Sequence, residues 1–198
     1  MTKEYKLSRV NDYENQVKAI QTVLENLKQE EIQVEVHMLI DSIVKCFEGG
    51  GKLIFFGNGG SAMDGGHIAA EFTGRFLLPR PSLPAISLSD NVAASTSIGN
   101  DFGYDDVFSR QIQGLANERD IAIGLTTSGK SRNILKGLST ALEKGTKTVI
   151  FTGDVGEIDV VGIDHIIRVP SVTTARIQEA TLFLGHYIAG AVERKMYG

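Results

Sequence analysis

The chain has 198 residues, 42% hydrophobic and 22% charged, with a net charge of −4. This composition fits one globular domain with or without an appendage, and it offers no basic tract for nucleic acid. The single cysteine, Cys46, excludes an internal disulfide; with a polar N-terminus and no apolar run near 18 residues, a cytoplasmic protein without signal peptide or membrane partner is expected.

Residues 8–48 contain neither proline nor glycine. Val17, Ile20, Val23, Leu24 and Leu27 recur at helical spacing, as do Val36, Leu39, Ile40, Ile43 and Val44. Two helices are predicted, breaking near Lys28–Glu31 and ending at Gly49-Gly50-Gly51. Strands and helices then alternate. Strands are predicted over 52–56, 85–88, 120–125, 148–151 and 163–169, and helices over 61–75, 105–114, 132–144 and 174–196. Apolar, β-branched strands alternating with helices indicate an α/β three-layer sandwich, a central parallel sheet flanked by helices in the flavodoxin-like manner. The expected division is a helical extension over 1–50 and a sheet domain over 51–198. The helix pair has too few partners to bury its apolar face alone, so it should pack on the sheet domain or on another subunit.

Two turns carry the chemistry. Gly57-Asn58-Gly59-Gly60-Ser61 joins a buried strand to a helix start. Glycines let backbone approach a ligand, and a helix N-terminus favours anions. Thr126-Thr127-Ser128-Gly129-Lys130-Ser131 follows a second buried strand, and its four hydroxyls can surround a phosphate without arginine. Ser131 as a simple N-cap is the alternative, but it accounts for one hydroxyl only. Neither turn has Walker spacing or a completed Gly-x-Gly-x-x-Gly. Past the first turn, His67 and Glu71 lie four apart on one helix face. Acid/base groups beside a phosphate cradle suggest an enzyme acting on a phosphorylated small molecule. A bland ion pair between Glu71 and Arg75 competes with that reading. His37 and His165 read as structural.

These turns, followed in order by His67-Ile-Ala-Ala-Glu71-Phe-Thr-Gly74-Arg75, Gly99-Asn100-Asp101-Phe102-Gly103 and Arg176-Ile177-Gln178-Glu179 with His186, resemble the sugar-isomerase (SIS) domain family. The resemblance covers nearly the whole chain. It implies an SIS-type fold, a homotetramer, and an aldose–ketose isomerase converting sedoheptulose 7-phosphate to a mannoheptose 7-phosphate through an enediol. By the same resemblance Glu71 is the base and His186 the acid/base partner. A zinc ion would be held by His67, Glu71, Gln178 and His186. Substrate would be bound by Asn58, Gly59, Gly60, Ser61, Glu71, Arg75, Asn100, Asp101, Thr126, Thr127, Ser128, Ser131 and Gln178.

Three points of physics bear on this. A carboxylate that ligates a metal loses basicity, so Glu71 is asked for two roles. Gln178 and His186 are about 12 Å apart along one helix, near the limit for sharing an ion. For Asp101, a tight turn aiming the carboxylate inward stands against a plain Asx-turn. Relatives often carry an aspartate before the Arg-Ile-Gln-Glu run, whereas Ser171–Ala175 contains no acid. Isomerisation of another ketose phosphate is therefore a rival reading. A non-catalytic adaptor of this fold that binds the replication initiator is a second, and it would not need the acid/base set.

Overall fold

A computed structural model describes residues 3–198, with side chains from Asp12 onward. In chain order the elements are α1 (Lys3–Asn26), α2 (Glu30–Glu48), β1 (Leu53–Gly57), α3 (Gly60–Thr73), β2 (Ala85–Ser87), α4 (Val92–Phe102), α5 (Val107–Leu115), β3 (Ile121–Leu125), α6 (Arg132–Glu143), β4 (Lys147–Thr152), β5 (His165–Arg168) and α7 (Thr174–Tyr197).

The five strands are all parallel, in the order β2-β1-β3-β4-β5. The strand order therefore reverses between β1 and β3, and ligands of such sheets bind at the strand carboxyl ends beside that reversal. Every residue of β1 and β3 is buried, as their unbroken apolar runs require of strands covered on both faces. Leu53 and Phe55 join one core with Phe72 of α3, Leu39 and Ile43 of α2, and Leu184 and Ile188 of α7. Ile54 and Phe56 point the other way, to Phe108 and Ile112 of α5 and Ile134 and Leu138 of α6. Phe56 is fully buried and tilts on Phe108 at 5.4 Å; truncating it to alanine costs about 3–5 kcal/mol.

The N-terminal helices share the first of these cores. Val36, Ile40 and Phe47 of α2, Val23 of α1 and Leu27 just after it are buried in it. His165 ties α2 to the sheet: its Nδ1 lies 2.8 Å from Glu35 Oε1 and its Nε2 2.9 Å from Ser42 Oγ. Cys46 is buried, and burial pushes its thiol up to about 12, so it behaves as an apolar side chain.

One helix departs from expectation. The segment 92–102, read as a connection with a turn at Gly99–Gly103, forms α4, and the predicted helix over 105–114 begins with a short 3₁₀ turn before α5. α4 buries none of its residues, so it has no apolar stripe for periodicity to find. Its signal is the cap, where Asn91 accepts from the Ala94 N–H at 3.1 Å.

Candidate active site

The two turns lie side by side at the carboxyl ends of β1 and β3. Gly59, at φ 55°, makes the bend that starts α3. In the second turn Thr126 Oγ1 and Ser131 Oγ are 3.0 Å apart, and Thr126 is 4% exposed. Ser131 occupies the N-cap position of α6 but its side chain makes no cap bond. The capping alternative is thus not what this hydroxyl does; it faces the other hydroxyl across the turn. Thr127 is half-buried, and Ser128 is exposed with its Oγ accepting from the Lys130 N–H at 3.2 Å. Asn58 joins the first turn to the start of α6. Its Nδ2 donates to Asn133 Oδ1 at 2.9 Å, and its Oδ1 accepts from Asn133 Nδ2 and from the Tyr104 hydroxyl, each at 2.8 Å. The Asn58 carbonyl oxygen is therefore spent on the scaffold, leaving a donor for any ligand.

Helices α3 and α7 run parallel from this end of the sheet. Their facing residues keep a nearly constant sequence separation, 117 for Ser61 and Gln178 and 119 for His67 and His186. Close approach is enforced by glycine at both levels. A Cβ at Gly60 would fall 2.5 Å from Gln178 Nε2, and one at Gly185 would fall 2.5 Å from Ile68 Cδ1. At the second level three groups converge. His67 Nε2 and His186 Nε2 are 3.2 Å apart, and Glu71 Oε1 is 3.3 Å from the first and 3.9 Å from the second. The three donor atoms lie within 4.8 Å of one another. His186 is held from behind by the Phe76 ring, stacked at 5.4 Å and 11°.

Two neutral imidazole nitrogens and a carboxylate oxygen aimed at one point form a zinc-type donor set. A tetrahedral zinc with bonds of 2.0–2.1 Å spaces its ligands about 3.3–3.4 Å apart, close to these separations. The donors present therefore fit the ion. Gln178 stands apart from the three: it lies on the regular part of α7, and its Nε2 donates to Ser61 Oγ at 3.4 Å.

Other expected site residues are placed differently. The Glu71–Arg75 pair does not form; Glu71 turns to the histidines, and exposed Arg75 enters no ion pair among the described residues. The tight turn expected to aim Asp101 inward is helix, with positive φ only at Gly103. Asp101 and Asn100 are exposed at the end of α4 and bond to each other at 2.8 Å. Two acids went unnoticed in the sequence. Asp64, one turn before His67, has a buried Oδ2 with no hydrogen-bond partner among the described residues; burial pushes its carboxyl up, and His67 acts the other way. Both carboxylate oxygens of Asp90 lie 3.1 Å from where a Gly66 Cβ would be, beside His67. Its position just past the carboxyl end of β2 was the available signal.

The sequence pattern of the SIS domain matches residues 12–153. The chain is also 45% identical over 172 residues to the phosphoheptose isomerase of Burkholderia pseudomallei (strain K96243), covering 87% of each. The chain belongs to the phosphoheptose isomerase family of SIS domains. Two solved members of that family superpose on it closely. The phosphoheptose isomerase of Francisella tularensis does so with a TM-score of 0.87 at 30% identity, over 98% of this chain and all of the other. That of Neisseria gonorrhoeae gives 0.81 at 32%, over 96% and 99%.

Proposed function

We propose that the protein acts as a phosphoheptose isomerase, converting D-sedoheptulose 7-phosphate to D-glycero-D-manno-heptose 7-phosphate. One observation carries this reading beyond family membership: the acid/base cluster of His67, Glu71 and His186 lies on helices that leave the same end of the sheet as the glycine turn and the hydroxyl-lined turn, at the reversal of strand order.

The chemistry follows from the groups. Thr126, Thr127, Ser128 and Ser131, with the N-terminal turn of α3 at Gly59–Ser61, take the phosphate. Gln178, Arg75, Asn100 and Asp101 contact the sugar chain. In the open ketose, the Glu71 carboxylate removes a proton from C1 while O2 gains one from His186, giving the 1,2-enediol. The proton then returns to C2, and His186 takes the proton of O1, leaving an aldehyde at C1. No atom is gained or lost. His67, Glu71 and His186 would hold a zinc ion, and Gln178 would add a fourth donor only by turning its amide away from Ser61. When bound, the ion would supply positive charge to polarise the carbonyl and stabilise the enediolate.

A homotetramer is part of the proposal. Phe183 and Tyr187 of α7 are 50% and 39% exposed and line a groove with Leu24, Leu27 and Val36, an apolar face suited to a second copy. Sedimentation velocity tests it. Cytoplasmic residence is proposed on the same basis as the substrate; no helix among the described residues is long and apolar enough to cross a membrane.

The deciding experiment is NMR of sedoheptulose 7-phosphate with the wild type, Glu71→Gln and His186→Ala, each with zinc and with chelator. A new aldoheptose phosphate from the wild type alone supports the reading. A folded protein with no turnover in any condition sinks it, and binding to the replication initiator would then favour the adaptor.

A further inference from the structure

One buried ion pair has no part in the chemistry above. Arg80 and Glu193 meet at 2.8 Å with side chains 0% and 1% exposed. Glu193 lies on α7 seven residues beyond His186, two turns along the same face. Its Oε1 accepts from the Phe76 N–H at 2.7 Å and from Arg80 Nε. Its Oε2 accepts from the N–H groups of Leu77 at 2.8 Å and Leu78 at 3.0 Å. Arg80 spends its other N–H groups on carbonyls. Nη2 donates to Glu71 O at 2.7 Å, and Nη1 to Phe72 O at 2.8 Å and Pro81 O at 2.9 Å.

The partners make this more than a stabilising contact. One guanidinium grips the last turn of α3 at the backbone of Glu71 itself. One carboxylate fastens α7 to the segment carrying Phe76, and Phe76 is the ring stacked on His186. Helix α3 is thereby joined to α7 just beyond the point where their side chains converge. We propose that Arg80 and Glu193 are positioning residues that hold Glu71 and His186 in register, Arg80 through the α3 backbone and Glu193 through Phe76. This rests on the proposed isomerase for its kinetic readout and on geometry alone for its spectroscopic one.

The physical case is geometric fixation. A carboxylate with four donors and a guanidinium with four acceptors cannot shift without leaving buried groups unpaired. Groups that support ligating histidines change metal affinity about 10–100-fold when removed, and a misplacement of about 1 Å at a reacting centre costs on the order of 10²-fold in rate.

The test uses Arg80→Lys, Glu193→Gln and Phe76→Leu in the full-length protein. Phe76→Leu keeps apolar volume, leaves the ion pair intact and removes the flat face, so it reads the same coupling if the other two fail to fold. Three quantities are measured: zinc Kd by competition with a chromophoric chelator, kcat and KM separately, and the His186 imidazole resonances. The expected result is a zinc Kd raised about 10–100-fold and kcat lowered about 10²-fold, with KM within about threefold and the His186 signals shifted. Folded variants with wild-type Kd, kcat and His186 signals overturn the proposal, as does a lowered melting temperature with those three unchanged. If the wild type itself neither turns over nor binds zinc, the isomerase reading fails, and the His186 signals of Arg80→Lys and Glu193→Gln, which both keep the stacked Phe76 ring, decide: shifted they uphold the positioning role, unshifted they overturn it.

Discussion

The Nε2 atoms of His67 and His186 face each other at 3.2 Å across the gap between α3 and α7. Two ring nitrogens this close need something positive between them, either a proton on one or a cation shared by both. Glu71 Oε1 completes the triangle at 3.3 and 3.9 Å. For zinc, His67→Ala and His186→Ala should each raise the Kd by at least about tenfold, since each leaves the ion one imidazole short. Gln178→Ala should raise it less, because an amide oxygen is the weaker donor and its side chain begins at Ser61. Isothermal titration of the chelator-stripped protein ranks the three. Equal effects, or none, would contradict the assignment.

Gly185 sets how near the two histidines come. A methyl there would lie 2.5 Å from Ile68 Cδ1 and Cγ1, so Gly185→Ala forces Ile68 out of its rotamer or α7 off α3. Overpacking of this kind costs about 1–3 kcal/mol. The expected result is a lower melting temperature and a kcat reduced more than KM is raised. Adding Ile68→Ala should recover part of both, which a double-mutant cycle measures directly.

The hydroxyl pair of Thr126 and Ser131 is predicted to act on binding alone. Thr126→Val keeps shape and Ser131→Ala removes one oxygen. A hydrogen bond to a charged ligand is worth about 1.5–3 kcal/mol, which corresponds to roughly ten- to a hundredfold in KM. The inhibition constant of inorganic phosphate should rise in parallel, with kcat little changed. A fall in kcat with constant KM would place these hydroxyls elsewhere in the reaction.

Acid should unfold the protein partly through Glu193. Burial pushes its carboxyl up, but the N–H groups of Leu78, Leu77 and Phe76 together with Arg80 outweigh that and hold it at about 2, against an ordinary 4.5. The folded pKa is the lower one, so between these values the unfolded chain binds more protons. The contribution is complete above about pH 4.5 and drains away as pH falls toward 2. Urea midpoints measured from pH 7 to pH 2 should drop on this limb for the wild type. Glu193→Gln should start lower at pH 7 and fall less steeply.

The parallel sheet was legible because β1 and β3 are unbroken apolar runs, each ending in a turn that opens a helix. The hidden parts share one cause: their meaning depends on a partner from elsewhere in the chain. Glu71 and Arg75 are spaced to pair, but α7 brings His186 and the carboxylate turns to the histidines instead. Asn58 looks like a free sugar contact until Asn133, 75 residues on, occupies it. Helix α4 escaped because nothing along it is buried. Glu193 was visible as an acid directly after the small apolar run Ala189–Val192, yet its partners lie more than 110 residues earlier.

The matched register of α3 and α7 makes the pair a ruler. Ser61 with Gln178 marks one graduation and His67 with His186 the next, about 10 Å further along at 1.5 Å per residue. On the proposed assignment, a substrate gripped near the first mark and altered at the second would be selected by the length of the carbon chain between its phosphate and its carbonyl. Sugar phosphates too short or too long would be bound without being turned over. One residue inserted in either helix would rotate every later side chain by about 100° and erase the scale beyond it.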